Sequence, residues 1–269
     1  MKQDEKKKIL LLLLILLLTT SCHQNKEKLD KNPFSQISYY QEQKQERYFR
    51  YQQQHSDLSA EEVVTAVNIG LDQAPYTNTK ETPYLNTTYL LVNKYRYLPP
   101  TYIPEKLERI DPKYTNGNKQ LVQEAKLAFE QMANDAESEG YTIRAVSAYR
   151  SYSYQQALYQ NYVLQDGEKN ADTYSARPGY SEHQTGLVVD IDNGKQDFNH
   201  FEETEEFKWM QENAKYYGFI LRYPKGKENL TGYTYEAWHY RYVGKKIAQE
   251  MANKDITLDE YYVKYLENS

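Results

Sequence analysis

Cysteine is nearly missing from this 269-residue chain: there is one, Cys22. A lone cysteine makes no internal disulfide and no cysteine-rich zinc centre, so neither scaffold is open to the fold. Apolar residues are sparse, at 39 %, and the mean hydropathy is −0.92. The longest apolar run, Ile9 to Leu18, is ten residues, too short to span a bilayer comfortably. Positive charge is in deficit: 33 Lys and Arg face 38 Asp and Glu, for a net charge of −5. That removes electrostatic support for nucleic-acid binding. No Ser-x-x-Lys and no His-Glu-x-x-His occurs, which excludes two common hydrolase machineries. There is no internal repeat. What the chain has instead is tyrosine. Its 29 Tyr supply apolar bulk while scoring as polar, so the central part can still build a core.

In chain order, residues 1–22 read as a targeting segment. Lys2 and Lys6 to Lys8 precede the apolar run, and Thr19-Thr20-Ser21-Cys22 follow it. Small residues before a cysteine resemble a bacterial lipoprotein signal, with Cys22 as the lipidated N-terminus; Thr19 stands where a leucine is usual. Residues 23–58, rich in Gln, Lys, Glu and Tyr with no sustained apolar stripe, read as a polar tether. A domain over 59–255 and a C-terminal helix within 256–269 complete the division. Ser59 and Glu62 form a capping-box pattern at a helix start. A helix is expected over 118–139, where apolar residues recur from Leu121 to Ala136, and another over 154–164. Further helices are expected over 203–217, 245–251 and 258–266. Strands are expected over 142–149, 187–192, 219–223 and 238–243. Residues 175–186 read as loop. Helices first, with short strands clustered around the motifs, predict an α+β fold.

The chemistry concentrates in two stretches. Ser181 to Asp192 carries His183 and Asp190 around Gly186, and Tyr235 to Gly244 carries Glu236 and His239. Two histidines and a carboxylate suit a catalytic zinc, which keeps one position for water. His183 and Asp190 are seven apart, so a straight strand would put them on opposite faces; Gly186 permits the turn that reunites them. Glu236 and His239 are three apart, and a turn there brings both to one side. The reading is one Zn2+ held by His183, Asp190 and His239, with Glu236 as general base. Asp192 reads as a ligand-orienting partner or a loop cap. His200, His23 and His55 read as non-ligands. Arg177 reads as cleft-lining or solvated, and Arg222 as a surface ion-pair partner.

These residues resemble the zinc D-alanyl-D-alanine carboxypeptidases of the VanY-like group, whose fold is shared with D-Ala-D-Ala dipeptidases and the hedgehog signalling domain. Ser181, His183, Gly186 and Asp190 match Ser-x-His-x-x-Gly-x-x-x-Asp. Glu236, Trp238 and His239 match Glu-x-Trp-His. Tyr149, Arg150, Ser151 and Gln155 or Gln156 match a Tyr-Arg-Ser turn before a Gln-bearing helix. Three motifs in order make the resemblance specific, over roughly residues 65–252. It implies a single catalytic domain with a small antiparallel sheet flanked by helices. It also implies that Arg150 binds the carboxylate or carbonyl of the substrate terminus, as a guanidinium fork suits. The substrate-binding candidates are Arg150, Ser151, Gln155, Gln156 and Ser181. Tyr240 joins them, with packing as its alternative.

The expected reaction is removal of C-terminal D-alanine from peptidoglycan stem peptides. The flanks Thr231-Gly232-Tyr233 and Tyr240 to Gly244 look most like streptococcal-type L,D enzymes, which tips the reading to L,D over D,D. The alternatives are a zinc endopeptidase of the same fold and a wall-binding module without catalysis; the intact Glu236 argues against the latter. The expected setting is extracytoplasmic, a membrane-anchored lipoprotein on a Gram-positive type of surface, with no nucleic-acid partner and no obligate protein partner.

Overall fold

A computed structural model describes residues 32–195 and 197–267. The targeting segment, Cys22 and His23 lie outside the described residues. Among the described residues, no helix is long and apolar enough to cross a membrane. The chain divides into two compact units, up to Val67 and from Asn68.

The first unit corrects the expected tether. Helix α1 (Gln45–Gln54) and most of helix α2 (Ala60–Ile69) belong to it. Phe34, Tyr48, Val63, Val64 and Val67 are fully buried together, with Tyr39 beside them. The polar composition misled because tyrosine and phenylalanine, not aliphatics, carry the burial on this segment. Helix α2 starts as its sequence dictates: Ser59 N donates to Glu62 Oε2 at 2.8 Å, and Glu62 N donates to Ser59 Oγ at 3.3 Å.

The second unit is α+β. A short parallel pair, β1 (Lys80–Glu81) and β2 (Arg96–Tyr97), precedes an antiparallel pair, β3 (Leu107–Arg109) and β4 (Gln120–Val122). Helix α3 (Gln123–Ser138) follows β4 directly. The helix expected from residue 118 therefore starts five residues later, because Gln120 to Val122 pair with β3 and that distant pairing overrides local periodicity. Phe129, Met132, Ala133 and Ala136 form its buried stripe.

The central sheet has the order β5-β6-β8-β7 and is antiparallel throughout. Its strands are β5 (Arg144–Ser147), β6 (Val188–Asp192), β7 (Phe219–Leu221) and β8 (His239–Tyr242). Helices α4 (Tyr152–Asp166) and α5 (Glu168–Tyr174) lie between β5 and β6 in sequence, and α6 (Glu205–Asn213) lies between β6 and β7. Leu187, Val189, Ile191, Phe219, Tyr240 and Tyr242 share one core with the stripe of α3 and with Met210. Burying such side chains contributes about 1.5–3 kcal/mol each. Helix α7 (Lys245–Lys254) and the turn α8 (Leu258–Tyr261) close a second cluster around Met251, Leu258 and Val263.

Candidate active site

The register of β6 on β8 builds the site. Asp190 lies directly opposite His239, so their side chains project from the same face about one cross-strand spacing apart. His183 arrives from the other end of the motif. It sits in a short 3-10 turn, Glu182–Thr185, that ends at Gly186 with φ 68° and ψ 13°. That left-handed residue reverses the chain into β6, as the seven-residue spacing requires. Glu236 comes from the loop before β8, where Glu236 N donates to the Tyr223 carbonyl at 3.1 Å.

All four side chains are nearly buried and line one cavity of about 320 Å³. His183 Nδ1 donates to the Ala148 carbonyl at 2.7 Å, which leaves Nε2 as the free lone pair, 3.3 Å from Asp190 Oδ2. His239 Nδ1 lies 3.3 Å from Asp190 Oδ1 and 3.2 Å from Glu236 Oε2. Burial and the neighbouring Arg150 push the His183 imidazole down to about 4, so it is neutral at neutral pH, as a ligand must be. Burial alone would raise the Asp190 carboxyl, but His183 and His239 hold it well below the usual range. Burial would lower His239; the Asp190, Glu182 and Glu236 carboxylates instead hold it well above its usual value, so a metal taking Nδ1 would displace a proton there. Burial raises the Glu236 carboxyl.

One nitrogen or oxygen from each of His183, Asp190 and His239 falls within 4.8 Å of the others. Asp190 Oδ1 is buried and makes no hydrogen bond. Two imidazoles and one carboxylate, itself with an orphaned oxygen, fit a zinc ion, and the donor set is that of a catalytic rather than a structural site.

Residues 118–245 match the VanY family, described as D-alanyl-D-alanine carboxypeptidase. The "Putative carboxypeptidase YodJ" of Bacillus subtilis is 45 % identical over 181 residues, 65 % of this chain and 66 % of that protein. The LdcB LD-carboxypeptidase structure aligns with a TM-score of 0.61 and 45 % identity, covering 65 % of this chain and 85 % of that one. The chain belongs to the VanY family. A variant of the vancomycin-resistance D,D-pentapeptidase VanY, in complex with Zn(II), aligns with a TM-score of 0.57 and 30 % identity, covering 65 % of this chain and 98 % of that one. Matches to curated enterococcal D-alanyl-D-alanine carboxypeptidases span 45 % and 64 % of those proteins' length.

Within this VanY-family cleft the candidates separate. Arg150 lines the cavity, with Nη1 on Gln155 Oε1 at 3.0 Å, Nη2 on Asp190 Oδ2 at 3.3 Å and Nε on Ser147 Oγ at 3.3 Å. Gln155 is buried and donates to the Ala176 carbonyl at 2.8 Å. Ser181 also lines the cavity. Three others do not. Ser151 is the N-cap of α4, accepting from Tyr154 N. Gln156 faces solvent, one residue round the helix from Gln155. Tyr240 points to the opposite face of β8 from His239 and is 1 % exposed in the core, because strand side chains alternate. Asp192 caps a loop, accepting from Gly194 N at 2.9 Å. His200 is exposed beside Glu203. Arg177 is bound by Asp172 and Glu168 rather than lining the cavity.

The structure also assembles what the motifs did not announce. Besides Trp238 of the Glu-x-Trp-His motif, Tyr162, Tyr174, Phe198, Tyr223 and Tyr233 line the cavity, and Tyr223 lies 4.8 Å from the His239 ring. Arg222, expected at the surface, is 1 % exposed and bonded to Glu182 and Asp259. Arg241 is fully buried. Period-two alternation from His239 could have found Arg241; nothing local marks Arg222 or Asp259.

Proposed function

We propose that this protein is a zinc-dependent carboxypeptidase that removes C-terminal D-alanine from peptidoglycan stem peptides, with the tetrapeptide (L,D) favoured over the pentapeptide (D,D). The carrying observation is the buried His183, Asp190 and His239 group with the Glu236 carboxylate 3.2 Å from His239 Nδ1. His183 Nε2, one Asp190 oxygen and His239 Nδ1 would hold a single zinc. When bound, it would supply Lewis-acid polarisation of the scissile carbonyl and a water with its pKa lowered to about 7.

The chain's own residues account for the rest. Glu236, as carboxylate, takes a proton from the attacking water. The new C–O bond forms, the C–N bond to the terminal D-alanine breaks, and Glu236 returns the proton to the leaving amine. The Arg150 guanidinium, held in place by Gln155 and Ser147, pairs with the substrate's terminal carboxylate. Its hold on that end gives the cleft exopeptidase character. The aromatic lining excludes water from the scissile bond and packs against the stem.

The L,D preference is supported by the neighbours. LdcB, called an LD-carboxypeptidase, is 45 % identical and the L,D-carboxypeptidase DacB of Streptococcus pneumoniae 41 %, against 30 % for the VanY structures and 40 % over 147 residues for the Enterococcus faecium D-alanyl-D-alanine carboxypeptidase. Mass spectrometry of purified tetra- and pentapeptide stems after incubation with the zinc-loaded protein tests the reading. Loss of one alanine from the tetrapeptide supports it. Loss from the pentapeptide alone makes the enzyme D,D, and larger fragments make it an endopeptidase. We place the protein outside the cytoplasm, lipid-anchored at Cys22, on the Lys-flanked apolar run and the residues before that cysteine. An unmodified Cys22 in the membrane fraction would sink that placement.

A further inference from the structure

Beneath His239 lies a cluster of four charges that sums to zero. Glu182, Arg222, Arg241 and Asp259 have side chains at most 1 % exposed. Glu182 Oε1 accepts from Arg222 Nε at 2.8 Å and from Arg241 Nη1 at 2.9 Å. Arg241 is itself pinned: Nη2 donates to the Thr88 and Leu90 carbonyls at 3.0 and 2.8 Å, and Nε to the Tyr242 carbonyl at 3.0 Å. Arg222 Nη1 donates to Asp259 Oδ2 at 2.7 Å, and Asp259 Oδ1 accepts from Asn93 Nδ2 at 2.8 Å.

The Glu182 carboxylate therefore cannot turn. Its second oxygen, Oε2, is buried without a hydrogen bond and lies 3.6 Å from His239 Nε2, which is also buried without one. That separation exceeds a hydrogen bond by about half an ångström, and catalytic contacts are often this long before the ligand is in place. Tyr223 covers the ring at 4.8 Å. Burying ionised groups is costly, and such a cluster is weak support for stability alone. Its one unsatisfied acceptor is aimed at the far nitrogen of a candidate ligand.

We infer that Glu182 is the positioning residue for His239, accepting its Nε2–H so that Nδ1 keeps its lone pair for the metal, and that Asp259 in the C-terminal segment holds Glu182 in place through Arg222. A ligand histidine commonly gives its other N–H to a carboxylate, which fixes tautomer and ring orientation. The inference rests on the reading of His239 as a zinc ligand. It also carries the site beyond the matched family region, residues 118–245, because Asn93 and Asp259 complete it from either side.

The test uses the full chain and three variants, Glu182→Gln, Asp259→Asn and Glu267→Gln. The last loosens the same C-terminal segment where it bonds to Arg96 at 2.5 Å and Lys80 at 3.0 Å, outside the bonds that run from Asp259 through Arg222 to Glu182. Zinc affinity is measured by chelator competition, ligand geometry by the visible spectrum of the Co(II)-loaded protein, and folding by metal-free thermal unfolding. Glu182→Gln is expected to weaken zinc binding about 10- to 100-fold, change the Co(II) bands and lower kcat more than it raises KM. Asp259→Asn moves the same readouts less. Glu267→Gln lowers the unfolding temperature and leaves affinity and spectrum at wild type. If Glu182→Gln does not fold, the charge-balanced Glu182→Gln/Arg241→Met carries the same expectation. Wild-type affinity and spectrum in the Glu182 variant that folds overturn the inference, as does a Glu267→Gln loss equal to that of Asp259→Asn. A wild-type protein that binds neither Zn2+ nor Co2+ removes the metal reading itself, and the inference with it.

Discussion

Gly186 stands between two candidate ligands and has no room for a side chain. A Cβ there would come within 2.9 Å of Leu107 Cδ2, 3.0 Å of Val122 Cγ2 and 3.2 Å of Pro104 Cγ, at φ +68°. Gly186→Ala therefore meets two costs. The left-handed backbone costs an L-residue about 1–2 kcal/mol. Forcing a methyl against those side chains adds about 1–3 kcal/mol. Leu107 can rotate away, but Val122 is β-branched and Pro104 is a ring, so neither has a free rotamer to offer. Gly117 separates the two costs, since its φ is +78° and a Cβ there meets nothing within 4 Å. Gly117→Ala meets only the first. Thermal unfolding of the metal-free protein should place Gly186→Ala below Gly117→Ala by roughly 2–12 °C, at about 2–4 °C per kcal/mol for a unit of this size. Added zinc should raise the unfolding temperature of Gly186→Ala less than that of wild type, because the displaced turn carries His183 away from Asp190 and weakens the bound state. Equal losses in the two variants would refute the packing argument. An unshifted response to zinc would refute the link between Gly186 and the candidate ligands.

Four shorter expectations follow from the same geometry. Glu236→Ala should retain zinc and lose turnover by roughly 10²- to 10⁴-fold; hydrolysis at the wild-type rate would remove Glu236 from the role of base. His183→Ala should lose zinc, and full metal occupancy by elemental analysis would take His183 out of the ligand set. Tyr240→Phe should leave kcat and KM unchanged and raise stability by about 1 kcal/mol, because the buried Tyr240 hydroxyl has no hydrogen-bond partner; a raised KM would return Tyr240 to the substrate site. The Glu182 carboxyl, which burial would raise, is held below its ordinary value by Arg222 and Arg241. Its contribution to stability is thus complete above an unfolded pKa of about 4.3 and lost as the pH falls below that. Urea midpoints from pH 6 to pH 3 should fall more steeply in wild type than in Glu182→Gln, and parallel curves would contradict this.

Much of the site could be read in the sequence because its chemistry is local. His183, Gly186 and Asp190 fall in one ten-residue pattern, and Glu236 and His239 in another, so spacing limits which side chains within each stretch can converge, and the family resemblance joins the two. Helix starts and stops with dedicated chemistry were equally legible. Ser59 and Glu62 form the expected box, and Gly218 ends the 3-10 turn after α6 with φ 90°. What escaped depends on partners far away in sequence. Gln120 to Val122 looks helical until β3 claims it. Residues 32–58 look unfolded until Phe34, Tyr39 and Tyr48 are seen in one cluster. Arg222 looks like a surface charge because nothing local says that Glu182 and Asp259 are its counter-ions. Ser151, Gln155 and Gln156 could not be separated from the motif alone; the phase of α4 decides that only Gln155 turns inward.

The apolar face of β6 is as much a part of the site as its candidate ligands. Val189 and Ile191 are fully buried against the stripe of α3, while Asp190 projects from the other face. Slipping β6 by one residue against β8 would turn Asp190 into the core and bring a valine or isoleucine opposite His239. The core forbids this, since an unpaired buried carboxylate costs far more than a misplaced methyl. Residues with no chemistry thus hold the Asp190 to His239 alignment. Core truncations such as Val189→Ala should accordingly weaken zinc binding as well as stability, whereas an equally destabilising truncation in the first unit, Val64→Ala, should lower stability alone. Chelator competition on the two variants, matched by their urea midpoints, decides it: equal zinc affinity in both would mean that the alignment survives without the core that is argued to hold it.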